Sequence, residues 1–195
     1  MNKIITFVFT LILPTVLISQ EIEYSAALIT DRPDATESAN TVPHKSLQVE
    51  TGIYYVSFEE NNHKFENIGY NTTLLRYGLL ENFEIRLGWN FEENKTTIAG
   101  QQANISTTGF SPLLLGMKVA IAEEKGWLPN IGLLGHLYLP FTAAKEYRPE
   151  TTGVDFRFAF GHSLGEKSSL SYNLGAEWGG RLFRSCICLY ASLWL

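Results

Sequence analysis

His136 and Tyr138 stand two residues apart, so on an extended strand they share a face, a spacing that could set an imidazole as a proton acceptor beside a phenol. His162 and Ser163 are adjacent; on a strand they point to opposite faces and cannot act as a base–nucleophile pair. Cys186 and Cys188 form a Cys-x-Cys pair that could be an exposed dithiol or a strained disulfide. Without His or further Cys beside them they make a poor metal site and read as two small apolar residues. Gly165-Glu166-Lys167-Ser168 lacks the earlier Gly of a phosphate loop and reads as a turn. His44 and His63 fall in predicted loops, and Asn71-Thr72-Thr73 is a glycosylation sequon only in a eukaryotic secretory route. No catalytic set assembles, the chain is read as a non-enzyme, and neither a cofactor nor a metal is expected.

The charged residues are organised differently. Glu50, Arg76, Glu84, Arg86, Glu92, Lys118, Asp155, Arg157 and Glu177 all fall on the polar side of segments that alternate with period two. These five acids and four bases suit a network of ion pairs better than a selective pore, which favours one sign.

The alternation is clearest in Phe83-Glu84-Ile85-Arg86-Leu87-Gly88-Trp89-Asn90-Phe91-Glu92 and recurs in Val154-Asp155-Phe156-Arg157-Phe158-Ala159-Phe160-Gly161 and in residues 170–178. Leu75, Tyr77 and Leu79 oppose Arg76 and Gly78. Leu113, Leu115, Met117, Val119 and Ile121 oppose Gly116, Lys118 and Ala120. Ile131, Leu133, Leu137 and Leu139 oppose Gly132, His136 and Tyr138. An earlier strand covers residues 47–58. Successive strand side chains point to opposite faces, so each segment carries one apolar and one polar face. The pattern predicts seven strands up to Trp178 and an eighth candidate near the C-terminus.

The connections alternate too. Leu80-Glu81-Asn82, Glu123-Glu124-Lys125-Gly126 and residues 163–168 are short; residues 59–64, 94–107 and 141–151 are long. Tight turns on one side and long loops on the other predict an all-β, antiparallel, up-and-down transmembrane β-barrel whose first strand starts on the periplasmic side. Strands near ten residues match a tilted crossing, and Trp89, Phe91, Trp127 and Trp178 fall near strand ends, where aromatic girdles sit. An eight-stranded version would be filled by side chains; a larger barrel, of which this chain would be a fragment, would leave a channel.

Composition agrees. The chain has 195 residues, 45% hydrophobic and 13% aromatic, with charged residues at 18%, against roughly 25% in ordinary soluble domains. Mean hydropathy of −0.01 is too polar for a helical bundle in lipid. Fifteen Lys and Arg against twenty Asp and Glu give a net charge of −5, which argues against a nucleic-acid partner.

Residues 1–19 read as a signal peptide: Lys3, an apolar run over residues 4–18 containing Pro14, then Ser19 before polar Gln20-Glu21. The run is shorter than a spanning helix needs. The expected location is the outer membrane, with outer-membrane lipid, the barrel-assembly machinery and an unidentified small solute as partners. Residues 20–45 form a polar lead-in, placed either in the lumen or in the periplasm, and residues 46–195 the barrel.

The lead-in carries Thr30-Asp31-Arg32-Pro33-Asp34-Ala35-Thr36-Glu37-Ser38-Ala39-Asn40-Thr41-Val42-Pro43, followed by Lys45-Ser46-Leu47-Gln48-Val49-Glu50-Thr51-Gly52. It resembles the opening of the meta-pathway phenol-degradation family of outer-membrane proteins, TDRPD-x-TES-x-x-TVP and then K-x-LQ-x-E-x-G. The motif positions here are Thr30, Asp31, Arg32, Pro33, Asp34, Thr36, Glu37, Ser38 and Pro43. Residues 75–79 with 82–88 resemble its next landmark, and the resemblance runs to Trp178. It implies an outer-membrane barrel, a transporter or channel for small aromatic or hydrophobic molecules, and no established reaction. Two other functions fit the sequence: a structural envelope barrel without transport, and a lipid-modifying enzyme in which His136→Ala would abolish activity.

After Trp178 the pattern changes, and residues 179–195 are atypical of the segments before them. Read one base out of phase, Gly180 onward can encode a polar loop and then an alternating strand, so the expectation is a frame change or truncation after about Trp178. In the printed frame, Ile187, Leu189, Ala191, Leu193 and Leu195 could instead supply the eighth strand, with Trp194 penultimate. Sequencing the gene across the Trp178 codon is expected to show the other frame continuing as alternating strands; the printed frame reproduced in independent isolates overturns this.

Overall fold

The computed structural model describes residues 36–61, 63–98, 101–165, 168–179 and 182–193. The predicted signal peptide and the motif residues Thr30, Asp31, Arg32, Pro33 and Asp34 lie outside them. The described chain is all-β. Nine strands follow one another: β1 (Leu47–Glu60), β2 (His63–Leu80), β3 (Phe83–Ile98), β4 (Gln101–Phe110), β5 (Leu113–Ala122), β6 (Asn130–Leu139), β7 (Gly153–Ser163), β8 (Ser168–Gly179) and β9 (Leu182–Leu193). Each consecutive pair along the path β1-β2-β3-β5-β6-β7-β8-β9 is antiparallel, and the sheet curls into a half-barrel with β1 and β9 at its two ends.

The register turns the alternation into continuous rows. Val49, Leu75, Leu87, Leu115, Leu137, Val154 and Trp178 lie side by side across seven strands. One residue away along each strand, on the other face, run Gln48, Arg76, Arg86, Gly116, His136, Asp155 and Glu177. The first row is wholly apolar and mostly exposed: Val49 at 56%, Leu115 at 46% and Trp178 at 61%. In the second, Arg76, Arg86 and Asp155 are buried to within 1%. A soluble protein hides the first kind and exposes the second. Here the greasy face is convex and open, and the charged face is concave and covered.

The structure corrects three expectations. The long connection over residues 94–107 is a hairpin: β3 runs on to Ile98 and β4 pairs back along it, off the main path of the sheet. Alternation is lost there: β3 carries Asn94, Lys95, Thr96 and Thr97 in succession and β4 Ser106, Thr107 and Thr108, although β2 pairs with β3 as far as Ile98. The predicted loop over residues 59–64 shrinks to a tight turn at Asn61, which takes φ +50° between strands ending at Glu60 and starting at His63. Thirdly, the last strand starts at Leu182, ahead of the predicted segment, and pairs with β8 from Gly179↔Leu182 to Ser168↔Leu193. Cys186 and Cys188 fall on it, opposite Gly175 and Asn173. Their side chains, like Trp194 and Leu195, lie outside what is described. Among the described residues no pairing joins β1 to β9, so the sheet does not close.

Short links fasten the tight-turn end. Ser163 donates from its backbone N and its Oγ to the Glu124 carboxylate, both at 2.7 Å, tying the β5–β6 turn to the end of β7. These two donors hold the Glu124 carboxyl below the usual carboxylate range. At the other end, residues 141–151 form two 3-10 turns (Pro140–Thr142 and Lys145–Tyr147), and the Tyr147 hydroxyl reaches the Thr107 carbonyl of β4 at 3.0 Å.

Because residues 95–98 of β3 pair with His63–Glu66 of β2, replacing residues 95–106 by a two-residue Asn-Gly turn removes that stretch of ladder and is expected to cost about 1 kcal/mol or more, read as a lowered urea midpoint.

Candidate functional site in the concave face

Glu84 lies at the centre of the covered face. Arg76 donates to it through a two-pronged fork, Nε to Oε1 and Nη2 to Oε2, both at 2.9 Å. Arg86 adds Nε to Oε1 at 2.8 Å, and the backbone N–H of Val42 adds a bond to Oε2 at 2.7 Å. A carboxylate offers about four acceptor positions, and these four donors use them. The arrangement answers a specific problem: Arg76 and Arg86 are directly opposite on β2 and β3, a pairing that repels unless an anion lies between. Glu50 takes the remaining edge of Arg76, from Nη1 at 3.0 Å, and also accepts from Gln48 at 2.7 Å.

Arg86 is engaged along its other edge as well. Its Nη1 lies 3.0 Å from His136 Nε2, and its Nη2 donates to Glu37 Oε2 at 2.9 Å. A guanidinium can only donate, so His136 Nε2 accepts, and the ring proton sits on Nδ1, 3.2 Å from Asp155 Oδ1. His136 is therefore held at both ring nitrogens, between Arg86 and Asp155. Gly116 makes room for it: a Cβ there would meet His136 Cδ2 at 2.3 Å. Asp155 also accepts from the Tyr138 hydroxyl (3.1 Å) and from Arg157 Nη2 (3.2 Å).

Residues 36–43 lie across this face and complete its burial. Glu37 exchanges backbone bonds with the Asn173 side chain, N–H to Oδ1 at 2.7 Å and carbonyl from Nδ2 at 3.0 Å. The Asn40 carbonyl accepts from Arg76 and from Lys118, each at 3.4 Å. Two glycines admit the segment: a Cβ on Gly132 would meet the Ala39 carbonyl oxygen at 2.6 Å, and one on Gly78 would meet the Pro43 carbonyl oxygen at 2.0 Å. Thr36, Ala39 and Val42 are buried. The motif positions Thr36, Glu37, Ser38 and Pro43 thus belong to a stretch seated on the charged wall. Beside it, a cavity of about 170 Å³ opens between β3, β5 and β6, lined by Gly88, Trp89, Asn90, Glu92, Ser111, Pro112, Leu114 and Tyr138.

Of the nine charged residues singled out from alternation, Glu50, Arg76, Glu84, Arg86 and Lys118 meet in one cluster, and Asp155 with Arg157 join it through His136. Glu92 lines the cavity instead, and Glu177 sits at the exposed end of its row. Missing from that set were Gln48, Asn173 and the network role of Glu37. Asn173 shares the polar side of β8 with Glu177, which was the available signal; nothing in the alternation of the strands points to Glu37.

An antiparallel half-barrel with an apolar convex face and an ion-paired concave face defines a protein of the β-barrel class. The chain belongs to the family described as Putative MetA-pathway of phenol degradation, whose model matches residues 30–182. No curated protein and no solved structure gives a significant match.

Glu84→Gln leaves two opposed buried arginines with a neutral amide between them, and is expected to cost about 3 kcal/mol or more. Glu177→Gln, at the exposed end, is expected to stay within about 0.5 kcal/mol. Urea midpoints of the two variants check this.

Proposed function

We propose that the protein works in the outer membrane, reached by way of a signal peptide, as a transporter or channel-type barrel for small aromatic or hydrophobic solutes. The observation that carries the reading is the pair of neighbouring rows: seven apolar residues on the open convex face, and Gln48 through Asp155 on the covered one. Lipid is the solvent that suits such an inside-out distribution, since a strand's outward face then needs no water and its inward face can be polar. Trp127 and Trp178, exposed at opposite ends of the strands, fit the two interfaces. The aromatic solute class is supported by the family description and by the cavity beside Tyr138 and Trp89. Passage is passive in this reading. The contacts of His136 with Arg86 and Asp155 favour a structural role for it over that of a base in a lipid-modifying enzyme.

Fractionated cells are expected to carry the protein in the outer membrane. Liposomes containing it are expected to swell faster in small aromatic solutes than protein-free liposomes do. Outer-membrane localisation with no solute-dependent swelling would favour the structural barrel without transport.

A further inference from the structure

We propose that the cavity beside Tyr138 is a binding site for a small aromatic amine in its protonated form, with Glu92 as the anion that receives the ammonium group. The register of the concave face makes the site. Gly88, Leu114 and Tyr138 stand side by side on β3, β5 and β6, and the absent side chain at Gly88 leaves the space that Leu114 and Tyr138 wall. Asn90 and Glu92 follow Gly88 at two-residue steps along β3, so they share its face and line the same cavity. Asn90, Glu92, Ser111 and Tyr138 are each half-buried, so the space is open to a solute.

The polar groups of the lining give the class of ligand. Tyr138 donates its hydroxyl proton to Asp155, which leaves its ring for a ligand. Ser111 spends its hydroxyl and its N–H on the Asn90 carbonyl. Glu92 is placed differently. Among the described residues no lysine, arginine or histidine pairs with its carboxylate, and the group that meets it is the Tyr54 hydroxyl. Tyr54 belongs to the same cross-strand row, Tyr54, Gly69 and Glu92, with its ring over Gly69. A carboxylate has about four acceptor positions, and one phenol fills one of them. Asn67, two residues before Gly69 on that face, adds to the surplus of acceptors: its Nδ2 donates to Asn94 Oδ1, and its own Oδ1 is buried with no partner among the described residues. An ammonium group brings N–H donors and the compensating charge, and the face of an aromatic ring attracts a cation. Size sets the limit: the cavity holds about 170 Å³, below the roughly 300 Å³ at which sites for drug-sized ligands begin, so it takes one ring with a short arm. The inference deepens the preceding reading and rests on it only in that solutes reach this face.

The test uses the full chain in detergent, so that it is independent of passage across a membrane. Benzylamine, benzyl alcohol and benzoate share one ring and a one-carbon arm and differ in charge. By titration calorimetry at neutral pH, benzylamine is expected to bind about tenfold more tightly than benzyl alcohol, and benzoate more weakly than either. Glu92→Gln removes the charge and keeps the shape, and is expected to bring the amine to the level of the alcohol; partition into the micelle is the same for both proteins. Should Glu92→Gln fail to refold, Glu92→Ser is read in the same way. Equal binding of amine and alcohol by the wild type, or unchanged amine binding by the Glu92 variant, overturns the amine site. The tenfold preference in a protein whose liposomes pass no solute would leave the site standing and remove the transport reading. Swelling in aromatic solutes without that preference would do the reverse.

Discussion

Two arginines facing each other across neighbouring strands are the constraint on which this structure turns. Arg76 and Arg86 are opposed in register and buried to within 1%, and their mutual repulsion in a covered face is relieved by one residue, Glu84. The position of that carboxylate is dictated by strand geometry. Glu84 lies two residues before Arg86, on the same face, and so reaches both guanidinium groups without leaving its own strand. Around it the remaining donors and acceptors become an ordered set: Glu50 takes the free edge of Arg76, and His136 and Glu37 take the edges of Arg86. Buried ion pairs add little net stability over an apolar filling, but an incomplete one is very costly, so the set specifies a single arrangement.

That arrangement also explains the seating of residues 36–43. The backbone N–H of Val42 completes the Glu84 shell, and Gly78 and Gly132 clear two places where main chain approaches main chain. The same eight residues that carry part of the family motif therefore cover the charges that would otherwise face solvent. The convex side needs no such cover. Most of its row from Val49 to Trp178 is exposed, which is the mirror image of an ordinary globular sheet.

Much of this was legible from period-two alternation. Alternation put Arg76, Glu84, Arg86, Lys118, Asp155 and Arg157 on one face before any register was known, because that face is fixed by parity along each strand. What parity cannot give is the offset between strands. The cross-strand opposition of Arg76 and Arg86, and the approach of His136 to Gly116, depend on register and on turn geometry. Glu37 was visible as part of a motif, but its destination was not, since a segment without strand periodicity carries no information about which wall it meets. The β3–β4 ribbon was hidden for a related reason: its run of Asn, Lys, Thr and Ser has no apolar side to reveal it, although β2 pairs along it. Beyond Trp178 the residues lost their regular alternation, yet the strand from Leu182 pairs along β8 through backbone bonds, which do not depend on side-chain pattern.

The bond between Glu37 and Asn173 has a kinetic consequence. It joins residues 136 positions apart, whereas the main ladders join consecutive strands or, at β3 and β5, strands separated only by the small β4 ribbon. Hairpin closure along the sheet is local and fast; a contact spanning most of the chain bears the largest loop-closure entropy and waits for β8 to be in place. The stretch before β1 is therefore secured in two stages, Val42 once Glu84 of β3 is in place and Glu37 only after β8. The sheet grows around it strand by strand, and the order of assembly is wrapping, with no need to thread a finished wall.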